Sequence, residues 1–356
     1  SGEGLIGCPV DAIPACKHSG PMFLFAITNA NAAFDPLILL LLALLIDIGT
    51  GGIVNRWRLV WHPVNLMVRL TGWFDRKLNR EHRPEMDRAM RGLVATLLLL
   101  AIAAGFAWAV SWATQTLPLM WIFETVLILF LLDQRAVHAR VRRAAKAISA
   151  NNTEAARLEI APLVSGQGAP MDVHAVARAG IEGCGRALAA GVVGPVFWYV
   201  LFGFPGLLVF KLLSVMDQVV GHKTAVHRAF GFTAARTNDI LLYIPARLAG
   251  ILVPLASLFV PTTNPKAAFR VMARDAGKYR STNFGWPVGA MAGALGVSLG
   301  GSRANSGGEK WLGAGSARAS GLDMRRGLYI FAVACLINGA WLAALIVLRL
   351  LGGGGG

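Results

Sequence analysis

Apolar runs of about twenty residues constrain this chain more than any other feature, because a helix of that length crosses the hydrocarbon core of a bilayer. Leu93–Trp112, Ile240–Val260 and Leu328–Leu348 meet the requirement, although Ile240–Val260 carries Pro245, Arg247 and Pro254. Three runs are weaker. Pro36–Ile48 is dense but short, and Leu117–Leu132 is apolar except for Glu124. Ala187–Leu213 is interrupted by Gly194-Pro195 and by Gly203-Phe204-Pro205-Gly206. Pro and Gly at membrane depth imply broken or re-entrant segments whose freed backbone groups face protein or a cavity. The runs therefore predict an all-α, polytopic integral membrane protein of about five transmembrane spans, with broken or re-entrant elements and cytoplasmic helices.

Charge supports this class. Only 15% of residues are charged, against about 25% in soluble domains, which argues against an ordinary soluble enzyme. With 55% hydrophobic residues the chain has ample surface to bury, so disorder is excluded. The net charge of +15 comes from 34 Lys and Arg against 19 acids. A nucleic-acid binder would be rich in Lys and Arg rather than Leu and Ala, so no nucleic-acid partner is expected. The positive residues cluster. Arg56–Arg91 holds nine against four acids, Arg135–Lys146 holds five and no acid, and Lys266–Arg280 is basic again. Read as loops, these stretches face the cytoplasm by the positive-inside rule, which places the chain in the inner (cytoplasmic) membrane. They would touch lipid headgroups there, or attract an anionic substrate.

The four cysteines (Cys8, Cys16, Cys184, Cys335) form no CxxC pair, so neither a zinc site nor a thioredoxin motif is written here. A Cys8–Cys16 disulfide remains open. The expected division is an N-terminal extension over 1–33, a membrane domain over 34–301, and a flexible loop over 302–324. A C-terminal transmembrane helix over 325–351 and a Gly tail over 352–356 complete it. Ser302–Leu322 lacks apolar periodicity and is long for a loop in a compact domain.

Ionisable groups in apolar surroundings carry the functional information, since each is expensive there and needs a partner. Asp47, Glu124, Lys211, Asp217 and Arg247 are such groups. For Glu124 interhelical pairing is the expectation, and Arg247 either snorkels to the interface or serves a site. In Ala144–Val164 a helix is expected to restart with Asn152 or Thr153 as its cap and Arg157 paired with Glu154. Arg178 and Glu182 are spaced i, i+4 within Asp172–Leu188, either as a surface pair or as cavity groups. Arg280-Ser281-Thr282-Asn283-Phe284-Gly285-Trp286-Pro287 precedes the small-residue helix VGAMAGALGVSLGG. Backbone N–H groups at such a helix start can hold an anion, while the small residues favour close packing. No Walker A, dinucleotide fingerprint, HExxH or Ser–His–Asp arrangement is present, and no metal site is assigned.

From about Pro36 to Gly301 the chain resembles the CbiB/CobD family of integral membrane adenosylcobinamide-phosphate synthases. The resemblance rests on ordered pieces: the LLLLALLID run ending at Asp47, His62-Pro63-Val64, Arg76–Arg80, Val176–Glu182 and Gly194–Lys211. Met216–His222, Phe230–Arg236 and Ile244–Leu248 follow, and Arg280–Gly301 is the strongest. The resemblance implies an amide-forming ligase that joins a propionate of adenosylcobyric acid, a corrinoid, to aminopropanol or its phosphate, using ATP and Mg²⁺. On it, Glu182, Asp217 and Asp239 are the catalytic candidates. His62, Arg178, Arg247, Arg280, Asn283 and Trp286 are the substrate-binding candidates. The chain departs from the family pattern at four acidic places, the first being Ser165-Gly166-Gln167-Gly168-Ala169-Pro170, where the family has a turn with an Arg-Asp pair. Arg186-Ala187 stands where the family has Glu-Asn, Ala190 where it has Asp, and Asn238-Asp239 where it has Asp-Asp. The alternative reading is a non-catalytic binding or structural subunit of a membrane complex or homo-oligomer.

Overall fold

A computed structural model describes residues 35–49, 62–80, 82–164, 171–222, 224, 226–301 and 310–353. The N-terminal extension, the Cys8–Cys16 pair, residues 302–309 and the end of the Gly tail lie outside the described residues.

The described residues are mostly helical. Helix α1 (Pro36–Gly49) starts where the Asp35 carboxylate accepts the Leu37 amide at 2.8 Å. It is followed by α2 (Pro63–Leu78), α3 (Glu85–Thr116), α4 (Met120–Leu131) and α5 (Gln134–Ser149). Helix α6 (Thr153–Ile160) is capped as its sequence predicts: the Asn152 side chain accepts the Ala155 amide at 2.9 Å, and Arg157 pairs with Glu154. Helix α7 (Val173–Ala187) begins at Asp172, whose side chain accepts the Ala175 amide. It runs through a π-helical turn at Leu188–Val193 into α8 (Gly194–Val220). The remaining helices are α9 (Phe232–Leu241), α10 (Tyr243–Ser257), α11 (Pro265–Asp275), α12 (Thr282–Leu295) and α13 (Gly321–Gly353).

The all-α membrane architecture is recovered, with fewer spans among the described residues than the five or so expected. Among the described residues three helical stretches are long and apolar enough to cross a membrane: Glu85–Thr116, Val173–Val220 and Gly321–Leu351. A fourth is reached if α9 and α10, bent by 49° to one another, form one broken span. Leu117–Leu132 yields only the 12-residue α4, and Pro36–Ile48 only the 14-residue α1. The break expected at Gly194-Pro195 is absent, because the helix passes through its π turn there. The kink falls at Gly203, whose φ of 67° only glycine adopts without strain.

The basic stretches are corrected too. Arg135–Lys146 lies within α5, Lys266–Asp275 within α11, and Arg69, Arg76 and Lys77 within α2, so most of their cations ride on amphipathic helices rather than loops. Helix α5 buries Val137, Val141, Ala144 and Ala145 at helical spacing and turns its arginines outward. The stretch expected as a loop over 302–324 contains structure as well. Trp311–Leu312 (β2) pairs antiparallel with Leu299–Gly300 (β1), and α13 already starts at Gly321.

Beside a small cluster of Ala95, Val220 and Phe230, there are two large apolar cores among the described residues. One gathers α5, α6, α7, the π turn, α10, α11, α12 and the first half of α13. The other gathers α1, α3, α4, α8 and the end of α13, including Leu342 and Ile346. Helix α13 and the α7–α8 rod run through both. The glycines of α12 explain its close packing. A Cβ at Gly285 or Gly293 would run into the carbonyl oxygens of Ala276 and Ala267, so α12 lies directly on α11. That packing aims the N-terminus of α12 at the ends of α8 and α9.

Candidate functional site

A cavity of about 880 Å³ opens where these ends meet. Helix α8 contributes Ser214, Asp217 and Gln218, which share one helix face by their i, i+3, i+4 spacing. Gly221 and His222 continue that wall. Helix α9 adds Arg236, Asn238 and Asp239, and α10 adds Tyr243, Ile244 and Arg247. Arg186 reaches in from the end of α7, and Tyr279 to Phe284 close the site at the start of α12. Four arginines thus face two carboxylates, so the wall favours anions.

The side chains are held in place by specific partners. Arg247 lies 3.3 Å over the Tyr243 ring and 5.0 Å over Trp286. It also donates to Tyr243 O at 2.6 Å and Asn283 Oδ1 at 3.3 Å. Asn283 in turn donates to Asp239 O at 2.7 Å, tying α12 to α9. Asn238 donates to Asp217 Oδ2 at 3.0 Å. Arg186 lies over Phe284 at 5.1 Å, and Arg236 approaches Asp239 at 4.0 Å.

The residues expected from sequence separate into two sets. Asp217, Asp239, Arg247, Arg280 and Asn283 meet in the cavity wall, with Trp286 behind Arg247. His62, Arg178 and Glu182 do not line it. His62 caps α2 by accepting the Val64 amide at 3.2 Å and packs edge-on against Phe130. Arg178 donates to Ala317 O and stacks over Trp311, holding the segment after β2 against α7. Glu182 is buried and accepts from Tyr279 Oη at 3.1 Å and Gly300 N at 2.9 Å. Tyr279 lines the main cavity, so Glu182 touches the site through that ring. Sequence reasoning missed Arg186, Arg236, Asn238, His222 and Tyr243. Arg186 and Asn238 had left a trace, since both occupy places where the resembled family carries acids. Two of the four departures therefore lie in the cavity wall, and the one over 165–170 lies outside the described residues.

Among the described residues no group of three or more His, Cys, Asp or Glu side chains could hold a metal ion alone. Outside the spans, Asp275 at the end of α11 has its carboxyl held far below the usual range by hydrogen bonds from Arg274 and Lys278 and from the Gly313 amide. It fastens the segment that precedes Tyr279.

Comparison with known proteins addresses what kind of cavity this is. Residues 40–331 match the family described as CobD/Cbib protein. The chain belongs to the CobD/CbiB family. The cobalamin biosynthesis protein CobD of a Sinorhizobium species is 36% identical over 318 residues, covering 88% of this chain and 98% of the relative. CobD of Brucella anthropi is 32% identical over 329 residues, covering 89% of this chain and 99% of the relative. CobD of Brucella suis is 36% identical over 272 residues, covering 75% and 82%. No solved structure matches the chain. Every residue of the cavity wall lies inside the span that matches the CobD/CbiB family.

Proposed function

We propose that this CobD/CbiB member is a cobalamin biosynthesis enzyme of the inner membrane that forms an amide between adenosylcobyric acid and aminopropanol or its phosphate, at the expense of ATP. One observation carries the reading: an open, arginine-rich cavity with two carboxylates, built wholly from the family-matched part of the chain. A carboxylate does not react with an amine until one oxygen becomes a leaving group. Transfer of the terminal phosphoryl group of ATP to the propionate gives an acyl phosphate and ADP. Attack by the amine then forms the C–N bond and expels phosphate.

Arg186, Arg236, Arg247 and Arg280 would bind the phosphates and stabilise charge as it develops on the transferring group. Asp217 or Asp239 would accept the proton that the attacking ammonium must lose. Mg²⁺ characteristically uses one or two protein carboxylates together with substrate phosphates, and Asp217 and Asp239 fit that mode. Bound there, the ion would neutralise phosphate charge. Glu182 would act as a positioning residue through Tyr279. Arg178 and His62 would support the scaffold around the site.

The test is direct. Purified protein receives adenosylcobyric acid, aminopropanol phosphate, ATP and Mg²⁺, and product is followed by mass spectrometry. Product with matching ADP release is expected, and Asp217→Asn should lower turnover at least a hundredfold. Absence of both product and nucleotide turnover in folded, ligand-binding protein would overturn the proposal in favour of a non-catalytic subunit.

A further inference from the structure

The cavity has a wall that does not belong to an aqueous site. Ile240 and Ile244 line it, and they are 72% and 51% exposed. From Ile244 an exposed apolar stripe runs along α10 through Leu248, Ile251 and Leu255, at helical spacing. The opposite face of α10 (Ala246, Ala249, Gly250, Val253) is buried in the protein core. Helix α10 is the longer arm of the bent pair whose length and composition suit a broken membrane span, and on a spanning helix such a stripe meets hydrocarbon. The cavity takes lining residues from both arms of this pair, beside its 49° bend, so in a broken span its mouth would lie next to the lipid phase.

The polar end of the stripe is equally defined. Arg247 lies on the same helix face, three residues after Ile244 and four before Ile251, and Arg280 stands in the same cavity wall. Asn238, also in that wall, is only 3% exposed. Its amide is oriented by donating to the Asp217 carboxylate, and its Oδ1 is buried and accepts no hydrogen bond from any described residue. Such an orphaned acceptor implies a missing donor. Arginines, an unfilled acceptor beside a carboxylate, and an apolar track leading away match the chemistry of a primary amine and a phosphodiester on an acyl chain.

We propose that the cavity takes the headgroup of an aminophospholipid from the bilayer, with its phosphodiester on Arg247 and Arg280. Its ammonium meets Asn238 and Asp217, and one acyl chain lies along Ile244, Leu248, Ile251 and Leu255. The inference rests on the membrane location of α9 and α10 and on the cavity, not on the amide-forming reaction. If that reaction also takes place here, the lipid headgroup competes with an amino alcohol phosphate for the same groups.

The experiment uses the full chain in nanodiscs doped with phosphatidylethanolamine bearing a photoreactive acyl chain, without ATP or corrinoid. Crosslinks are mapped by peptide mass spectrometry. At least fivefold more labelling of Ile244–Leu255 is expected from this probe than from the phosphatidylcholine probe of the same chain, whose headgroup nitrogen carries no N–H donor. The excess should vanish in Asn238→Leu and in Arg247→Gln. Thermal melts check that each variant is folded, and unchanged labelling of α3 and α13 serves as the internal control. Equal labelling by both probes, or labelling indifferent to the two substitutions in folded protein, would reduce the stripe to ordinary annular lipid and overturn the proposal. Binding of soluble phosphoethanolamine without lipid labelling would overturn it too, by assigning the groups to a free phosphate. Because labelling needs no turnover, its result is independent of the synthase assay, which can fail while the lipid site stands.

Discussion

Arg247 shows what a single side chain contributes here. Its guanidinium is fixed between Tyr243 and Trp286 and bonded to Asn283, so it presents a preorganised flat cation to the cavity. A lysine keeps the charge but neither stacks nor forks in this way. Arg247→Lys is expected to raise KM for the phosphate-bearing substrate several-fold with a smaller change in kcat, read from steady-state kinetics. Asp275 offers a test of pH dependence. Its folded-state pKa is depressed, so its stabilisation is complete above the ordinary carboxylate pKa of about 4 and is lost as pH falls through the folded value. Asp275→Asn should cost about 1–3 kcal/mol at pH 7. The Tm gap between variant and wild type should narrow as the pH is lowered towards 3. Individual side chains were the least legible level of the sequence. Arg178 and Glu182 share an i, i+4 spacing, yet they reach Ala317 and Gly300, partners more than a hundred residues away. Spacing along a helix fixes a face, but not what packs against it.

Elements were far more legible, because their signals are local. The long helices over Leu93–Trp112 and Leu328–Leu348, the Asn152 cap and the close-packing glycines of α12 follow from periodicity and residue size, whereas Ile240–Val260 falls in a bent pair and the weaker run Ala187–Leu213 lies in the long stretch Val173–Val220. Gly293→Val should therefore push α11 from α12, costing about 1–3 kcal/mol by overpacking, measurable as a lower Tm. Gly203→Ala should cost about 1–2 kcal/mol, since an L-residue is strained at that φ. Two element types escaped detection for physical reasons. The basic helices α2, α5 and α11 are 11 to 16 residues long, and their high charge masks the apolar side that makes them helices. Strands of two residues, such as β1 and β2, are too short to display a period of two.

At the scale of the whole molecule the basic helices bear on orientation. If the positive-inside rule sets it, Arg142 on the exposed side of α5 faces the cytoplasm. Arg142→Cys, in a background with Cys8 and Cys16 replaced by Ser, should react with a membrane-impermeant maleimide in inside-out vesicles only; Cys184 and Cys335 are buried. Labelling from the periplasmic side would reverse the topology. How the two cores meet was not legible in sequence, since the meeting point depends on one π turn inside an apolar run. That turn carries the rod from the first core to the second. A π turn is an α-helix with a residue added, and each α-helical residue turns the chain by about 100°. Deleting one residue from Leu188–Val193 would restore unbroken α-helix and leave α8 facing as it does, whereas deleting one from the α-helical turns just after it would spin the rest of α8 about its axis by that angle. Lys211 would swing away from Asp133, and Asp217 out of the cavity. The π turn is thus the one place in the rod where a residue can be gained or lost without rebuilding the site, so differences in length among relatives should concentrate there rather than within α8.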